Sequence, residues 1–332
     1  MSFLRRKGSA PVILMYHRVA VERSDPWGLC VSPMHFEEHL DVLRRHRNVV
    51  SMTELHGRQL AGDVAPDTVA LTFDDGYVDN LLAAEPLLRQ YDVPATVFVS
   101  SGYTDRGREF WWDELERIVL SPDDLPARMT IPLPGGAHAL DLGSSARYSV
   151  AAAARHGQWR AYHADPPTER HAAFLATWEQ LVTLHDAEQW SALHALLDAA
   201  GLAPAMRPSC RPMTAGEIGT LARGGVMEIG AHTLTHPALP ALSPAEQERE
   251  IRDGAAVLAS ILGQPVRGFS YPHGRFTEDT VRIVRDTGFA YACAGVPSTS
   301  SARDPFTLGR IGVPDCDGDR LLAMLTERAR VA

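Results

Sequence analysis

Val69-Ala70-Leu71-Thr72-Phe73-Asp74-Asp75-Gly76-Tyr77 starts as a short apolar run rich in branched and aromatic residues and ends in two carboxylates and a glycine. Such a run reads as a buried strand that delivers Asp74 and Asp75 to a turn. Strand ends of this kind are where α/β enzymes keep their chemistry. Consecutive strand residues point to opposite faces, so the two aspartates are inequivalent unless the strand has already broken at the turn. That asymmetry fits one carboxylate for a metal and one for proton transfer. A turn in which Asp-Asp-Gly only supplies side-chain caps and a positive φ is the competing reading.

A second stretch, His232-Thr233-Leu234-Thr235-His236, follows another apolar strand candidate, Gly225 to Ile229. Histidines four apart share one face of a helical turn, close enough for both imidazoles to reach one divalent cation. A His-x-x-x-His pair by itself is a weak pattern. Beside an Asp-Asp strand end it becomes a His, His, carboxylate set that leaves metal positions open for water and substrate, which means catalysis rather than structural support. Two imidazoles and a carboxylate suit Zn²⁺, and Co²⁺, Mn²⁺, Ni²⁺ or Fe²⁺ fit the same donors.

Thr72 to Gly76 and His232 to His236 resemble motifs one and two of the polysaccharide deacetylase family, the NodB-like carbohydrate esterases of family 4. Tyr271-Pro272-His273-Gly274 is similar to that family's Pro-aromatic-Gly loop, and the three occur in the family's order. The resemblance implies that Asp74 is the general base, that Asp75, His232 and His236 bind one divalent metal ion, and that a backbone N–H of the loop holds the oxyanion. Tyr271, Pro272 and Gly274 are therefore expected to contact substrate. It further implies an N-acetylated sugar substrate and a distorted (β/α)7 barrel with the site at the C-terminal ends of the strands. The chemistry agrees: hydrolysing an acetamide needs an activated water, a Lewis acid, donors for the oxyanion and an acid for the leaving amine.

The family pattern also fails in places. The arginine that shortly precedes the Pro-aromatic-Gly loop is replaced by Ser270 and Tyr271, and the late Leu-x-His motif that supplies the general acid is missing, with no histidine after Gly274. His17, in a Tyr-His pair at the end of the first strand candidate, is the first substitute for the acid and His273 the second. Arg310, on the last strand candidate, is the substitute for the orienting arginine.

A chain of 332 residues, 45% of them hydrophobic, is long enough for one large α/β domain or two smaller ones. Its net charge of −9, with Lys7 the only lysine, argues against a nucleic-acid partner. Cys30, Cys210, Cys293 and Cys316 form no CxxC pair and read as reduced. Met1 to Gly8 has the charge of a signal-peptide leader, but the apolar run after it is too short, and no run approaches the ~20 apolar residues of a membrane helix. A cytoplasmic location is the resulting expectation.

Strand candidates near residues 12, 69, 95, 226, 266, 289 and 308 alternate with capped helices, for example at Ser32-Pro33, Thr214/Glu217 and Ser243/Glu246. Seven parallel strands suit the barrel, and an open doubly wound sheet is the alternative. The rhythm stops between 102 and 212, giving an α/β barrel over 1–101 and 213–332 with an inserted, mainly helical subdomain, a candidate lid. Trp111 and Trp112 at its start either stack on sugar or pack the insertion, while His171, His185 and His194 follow no ligand spacing and read as surface residues. The expected function is N-deacetylation of an oligosaccharide, a nucleotide- or lipid-linked sugar or a glycosylated metabolite. A non-sugar amidase and a catalytically inactive carbohydrate-binding homologue are the alternatives.

Overall fold

All six residues of Thr68–Phe73 are buried, as a central parallel strand covered on both faces requires. The computed structural model describes residues 11–295 and 304–331, the last four as backbone only; the leader-like Met1 to Gly8 lies outside them. In chain order the strands are β1 (Val12–Tyr16), β2 (Arg18–Val19), β3 (Cys30–Val31), β4 (Asn48–Val50), β5 (Thr68–Phe73), β6 (Ala95–Val99), β7 (Arg128–Leu133), β8 (Gly136–Asp141), β9 (Met227–Ala231), β10 (Gly268–Ser270), β11 (Tyr291–Cys293) and β12 (Ile311–Gly312).

The main sheet runs β11-β10-β9-β6-β5-β1-β12, all parallel. These are the seven strands the alternation predicts. The segment around β12 pairs with both sheet edges: Leu308 bridges Cys293 of β11, and Ile311 pairs with Leu14 of β1. The sheet thus curls and meets itself, which removes the open doubly wound alternative. An eighth strand, β4, pairs with the first half of β5, where β6 has not yet begun. Three residues led by an asparagine gave too short a signal to read.

Side-chain parity separates inside from outside. Val69, Leu71 and Phe73 of β5 join the larger core beneath the helices, with Phe36, Leu40 and Leu43 of helix Pro33–His46. Ala70, between them, faces a smaller cluster with Ile13, Phe98 and Tyr291 inside the curled sheet. Thr72 shares Ala70's parity, and so does Asp74 just past the strand end. Helix starts follow the predicted caps, including boxes at Thr214/Glu217 and Ser243/Glu246. Pro86 does not break the chain: a π-turn at Asn80–Ala84 restarts as helix Glu85–Tyr91 with the proline in its first turn.

A second compact unit comprises Arg106–Pro212 together with Glu22–Leu29, a piece the sequence reading left in the barrel. It contains the antiparallel β7–β8 hairpin and helices Trp111–Val119, Glu169–Leu181 and Asp186–Ala200. Its centre is aromatic: Trp111 packs on Trp112 and Trp178, and Trp178 on Trp27. Trp111 and Trp112 are buried there, so neither ring offers a face for sugar stacking, and the packing role is the one observed. His171 is also buried, not a surface residue, bonded to Thr168 Oγ1 at 2.8 Å and lying 3.5 Å from the Tyr148 hydroxyl.

Candidate active site

Asp74 and Asp75 part company because the chain has left the strand. Asp75 adopts a left-handed backbone, φ 72°, which sends its carboxylate away from its neighbour's. Asp75 Oδ1 is buried and lies 3.5 Å from His232 Nε2 and 3.4 Å from His236 Nε2, too long for good hydrogen bonds. One donor atom from each of these three residues falls within 4.8 Å of the others, the one such group among the described residues. His232 Nδ1 donates to Ser270 O at 2.8 Å, which fixes the ring and turns Nε2 toward Asp75. A buried carboxylate oxygen without a donor, facing two imidazole nitrogens, is a donor set that fits a divalent cation.

The histidine pair is not on a helical turn. His232 follows β9 directly, and the chain then curls through Thr233 and His236, both left-handed at φ 65° and 59°. The curl is shaped by its neighbours. Glu250 accepts from Leu234 N, Thr235 N and the Thr235 hydroxyl, Gly102 N donates to Leu234 O, and Thr233 Oγ1 accepts from His236 N. Gly102 and Gly254 lie so close beneath the curl that a Cβ on either would stand 2.5 Å from Leu234 O or 2.6 Å from Thr233 C. Asp75, Thr233, His236 and His273 are four of the six non-glycine residues with left-handed φ among the described residues. Backbone strain thus gathers at one place, as it does at functional sites.

Asp74 is gripped by Arg310. The guanidinium makes a two-pronged contact, Nη1 to Oδ1 at 2.7 Å and Nη2 to Oδ2 at 2.6 Å, and also reaches Ser270 Oγ, Thr72 Oγ1 and Ala294 O. Both partners are buried. Burial would raise the Asp74 carboxyl, but Arg310 beside it, with His232 and His17, holds it well below the usual carboxylate range. For His232, burial works to lower the imidazole, and Asp74 and Asp75 together override it and hold it above its ordinary value. His236 moves far down, first through burial and then through the neighbouring His273, His232 and His17.

His17 lies just past β1, beside the end of β5, where Tyr16 O accepts the Asp74 N–H at 3.0 Å. His273 packs edge-on against His236, ring centroids 4.6 Å apart, and burial with His232 lowers it to about 4. The rest of its loop is used internally. Tyr271 is buried with its hydroxyl on Phe306 O, Pro272 is buried, and Gly274 is pressed against Gly295, 2.6 Å from where a Cβ would reach. The Tyr271 and Gly274 amides donate to Cys293 O and Tyr271 O. Through these contacts Tyr271, Pro272 and Gly274 give the loop its shape. Glu250, Ser270, Gly102 and Gly254 were missed by the sequence reading, because none stands in a motif, and Thr72, though it opens motif one, was given no role of its own.

The family model for polysaccharide deacetylases matches residues 61–126 and 180–292, more than half of the chain. The putative polysaccharide deacetylase YxkH of Bacillus subtilis is 28% identical over 89 residues, and the match spans about a third of that relative's length, 32%. Among solved structures, the Streptococcus pyogenes deacetylase PplD in complex with acetate superposes with TM-score 0.58 at 19% identity, covering 95% of this chain and 97% of its own. IcaB from Ammonifex degensii gives 0.57 at 19% identity, covering 96% and 97%. At such identities the superpositions speak for the fold, the curled parallel sheet of a (β/α)7 barrel. The matched sequence contains the Asp-Asp turn, the histidine curl and the Tyr271–Gly274 loop, and with them the chain belongs to the polysaccharide deacetylase family.

Proposed function

We propose that this chain is a metal-dependent hydrolase that removes an N-acetyl group from an amino-sugar-containing substrate. The observation that carries the reading is the convergence of Asp75, His232 and His236 on one point, with Asp74 fixed beside them by Arg310. Asp75, His232 and His236 hold one divalent ion, Zn²⁺ first by donor type, which when bound polarises the amide carbonyl and acidifies a water.

The other steps belong to the chain's own groups. Asp74 accepts the proton of the attacking water. Arg310, Ser270 and Thr72 keep its carboxylate ionised and aimed; Oδ2 accepts from both Arg310 and Ser270, and Oδ1, which accepts from Arg310, retains a lone-pair direction for that proton. His17 delivers a proton from an imidazole nitrogen to the leaving amine nitrogen, the role left open by the absent Leu-x-His motif. The substrate class rests on the family and on relatives such as PplD, a deacetylase seen with acetate.

The test is acetate release from free, nucleotide-linked and oligomeric N-acetylhexosamines with added Zn²⁺ or Co²⁺. Wild type should release acetate from at least one, and Asp74→Asn should lose about 10²–10⁴-fold in kcat. No release from any member with metal bound, or release indifferent to Asp74, overturns the proposal.

A further inference from the structure

The three residues after β1 are held by two adjacent side chains from the turn that follows β5. Asn80 Nδ2 donates to His17 O at 2.8 Å, Asp79 Oδ2 takes Arg18 Nε at 2.9 Å, and Asp79 Oδ1 accepts the Val19 N–H at 3.1 Å. The Asn80 amide also donates to Asp79 Oδ1 at 3.2 Å. Both of its contacts are acceptors, so a flipped amide would set oxygen against oxygen, and its orientation is fixed. Asn80 is fully buried, and its Oδ1 finds no donor among the described residues, an arrangement that costs stability. The Arg18 guanidinium lies over the Tyr77 ring at 4.7 Å, and the chain widens into a π-turn at Asn80–Ala84, a form that recurs at functional sites.

Two buried polar side chains, one with an unmet acceptor, fix residues 17, 18 and 19 in succession. The first of these follows Tyr16, whose carbonyl accepts the Asp74 N–H at 3.0 Å, so the backbone sets His17 beside Asp74 at the ends of two paired strands.

We propose that Asn80 and Asp79 are positioning residues: through the His17 carbonyl and the Arg18-Val19 backbone they set where the His17 imidazole stands relative to Asp74. The inference rests on the deacetylase reading for its kinetic consequence but not for its geometry. Asn80→Ala in the metal-loaded full chain should lower kcat about 10–100-fold with KM and bound metal unchanged. Added to His17→Ala, it should change nothing further, because the group it positions is gone. A double variant that loses the product of the two single losses, or a fall in bound metal that matches the fall in kcat, overturns the proposal.

Asn80→Leu, similar in size and without any donor for His17 O, carries the same comparison if the alanine variant fails to fold. If wild type releases no acetate from any substrate, the deacetylase reading fails, and position is read from the His17 imidazole resonances by nuclear magnetic resonance. Changed resonances in Asn80→Leu support the positioning role, and identical ones overturn it.

Discussion

Asp74 and Asp75 are neighbours with opposite relations to stability. Asp74 neutralises a buried Arg310, so Asp74→Asn leaves a guanidinium charge without its partner, at a cost of about 3–5 kcal/mol. Asp75 Oδ1 is buried without a hydrogen-bond donor, so Asp75→Asn in the metal-free protein should leave stability unchanged or raise it while abolishing tight metal binding. Thermal unfolding of the two metal-free variants against wild type separates them, and an Asp74→Asn curve that overlays wild type would contradict the pairing argument. The two aspartates were legible because they sit in one run at a strand end. Arg310 was legible only as a lone cation on the last strand candidate, since nothing in a sequence brings position 310 to position 74. Asn80 and Asp79 left no signal of their own, being two polar residues in what reads as an ordinary helix start.

At the scale of elements, the strands and caps could be read because they are local: branched apolar runs, Ser-Pro starts, capping boxes. The His232–His236 curl could not. Its spacing of four fits a helical turn, while its backbone is decided by tertiary neighbours: glycines at 102 and 254 and the carboxylate of Glu250. A threonine at positive φ is a conformation that local preference argues against. Glu250 binds two amides and a hydroxyl of the curl without reaching the ligand atoms. Glu250→Ala should therefore weaken metal binding about 10–100-fold while helix Pro244–Leu262 stays formed. Competition with a chromophoric chelator measures the first and far-ultraviolet circular dichroism the second; unchanged affinity would mean that the curl holds its own shape.

At the scale of the whole molecule, the second unit carries a pH response of its own. In the second unit His171 lines a cavity of about 210 Å³, and burial first, then His156 and Arg170, lower it to about 4. An unfolded imidazole takes its proton near 6.5, so between these values the unfolded state binds the extra proton. Stability present above about 6.5 is therefore lost as pH falls toward 4, by about 2 kcal/mol after allowance for solvent in the cavity. Glu116, raised by burial in the same cavity, contributes with the opposite sign, so the effect is isolated by comparison with His171→Gln. Hydrogen-exchange protection of helix Glu169–Leu181 should fall between pH 7 and 5 in wild type and fall less in the variant. The repeating strand-helix order made the barrel legible, whereas Glu22–Leu29 was assigned to the wrong unit because a short segment joins a distant partner with no periodicity to announce it.

The segment around β12 closes the sheet and also carries Arg310. On the ribosome, Asp75, His232 and His236 all emerge before residue 237, so a nascent chain has its ligand set well before it has the partner of Asp74. Until position 310 has been made and docked between β11 and β1, Asp74 is an unpaired carboxylate at the mouth of an open sheet. Completion of the sheet and pairing of Asp74 are then a single late event.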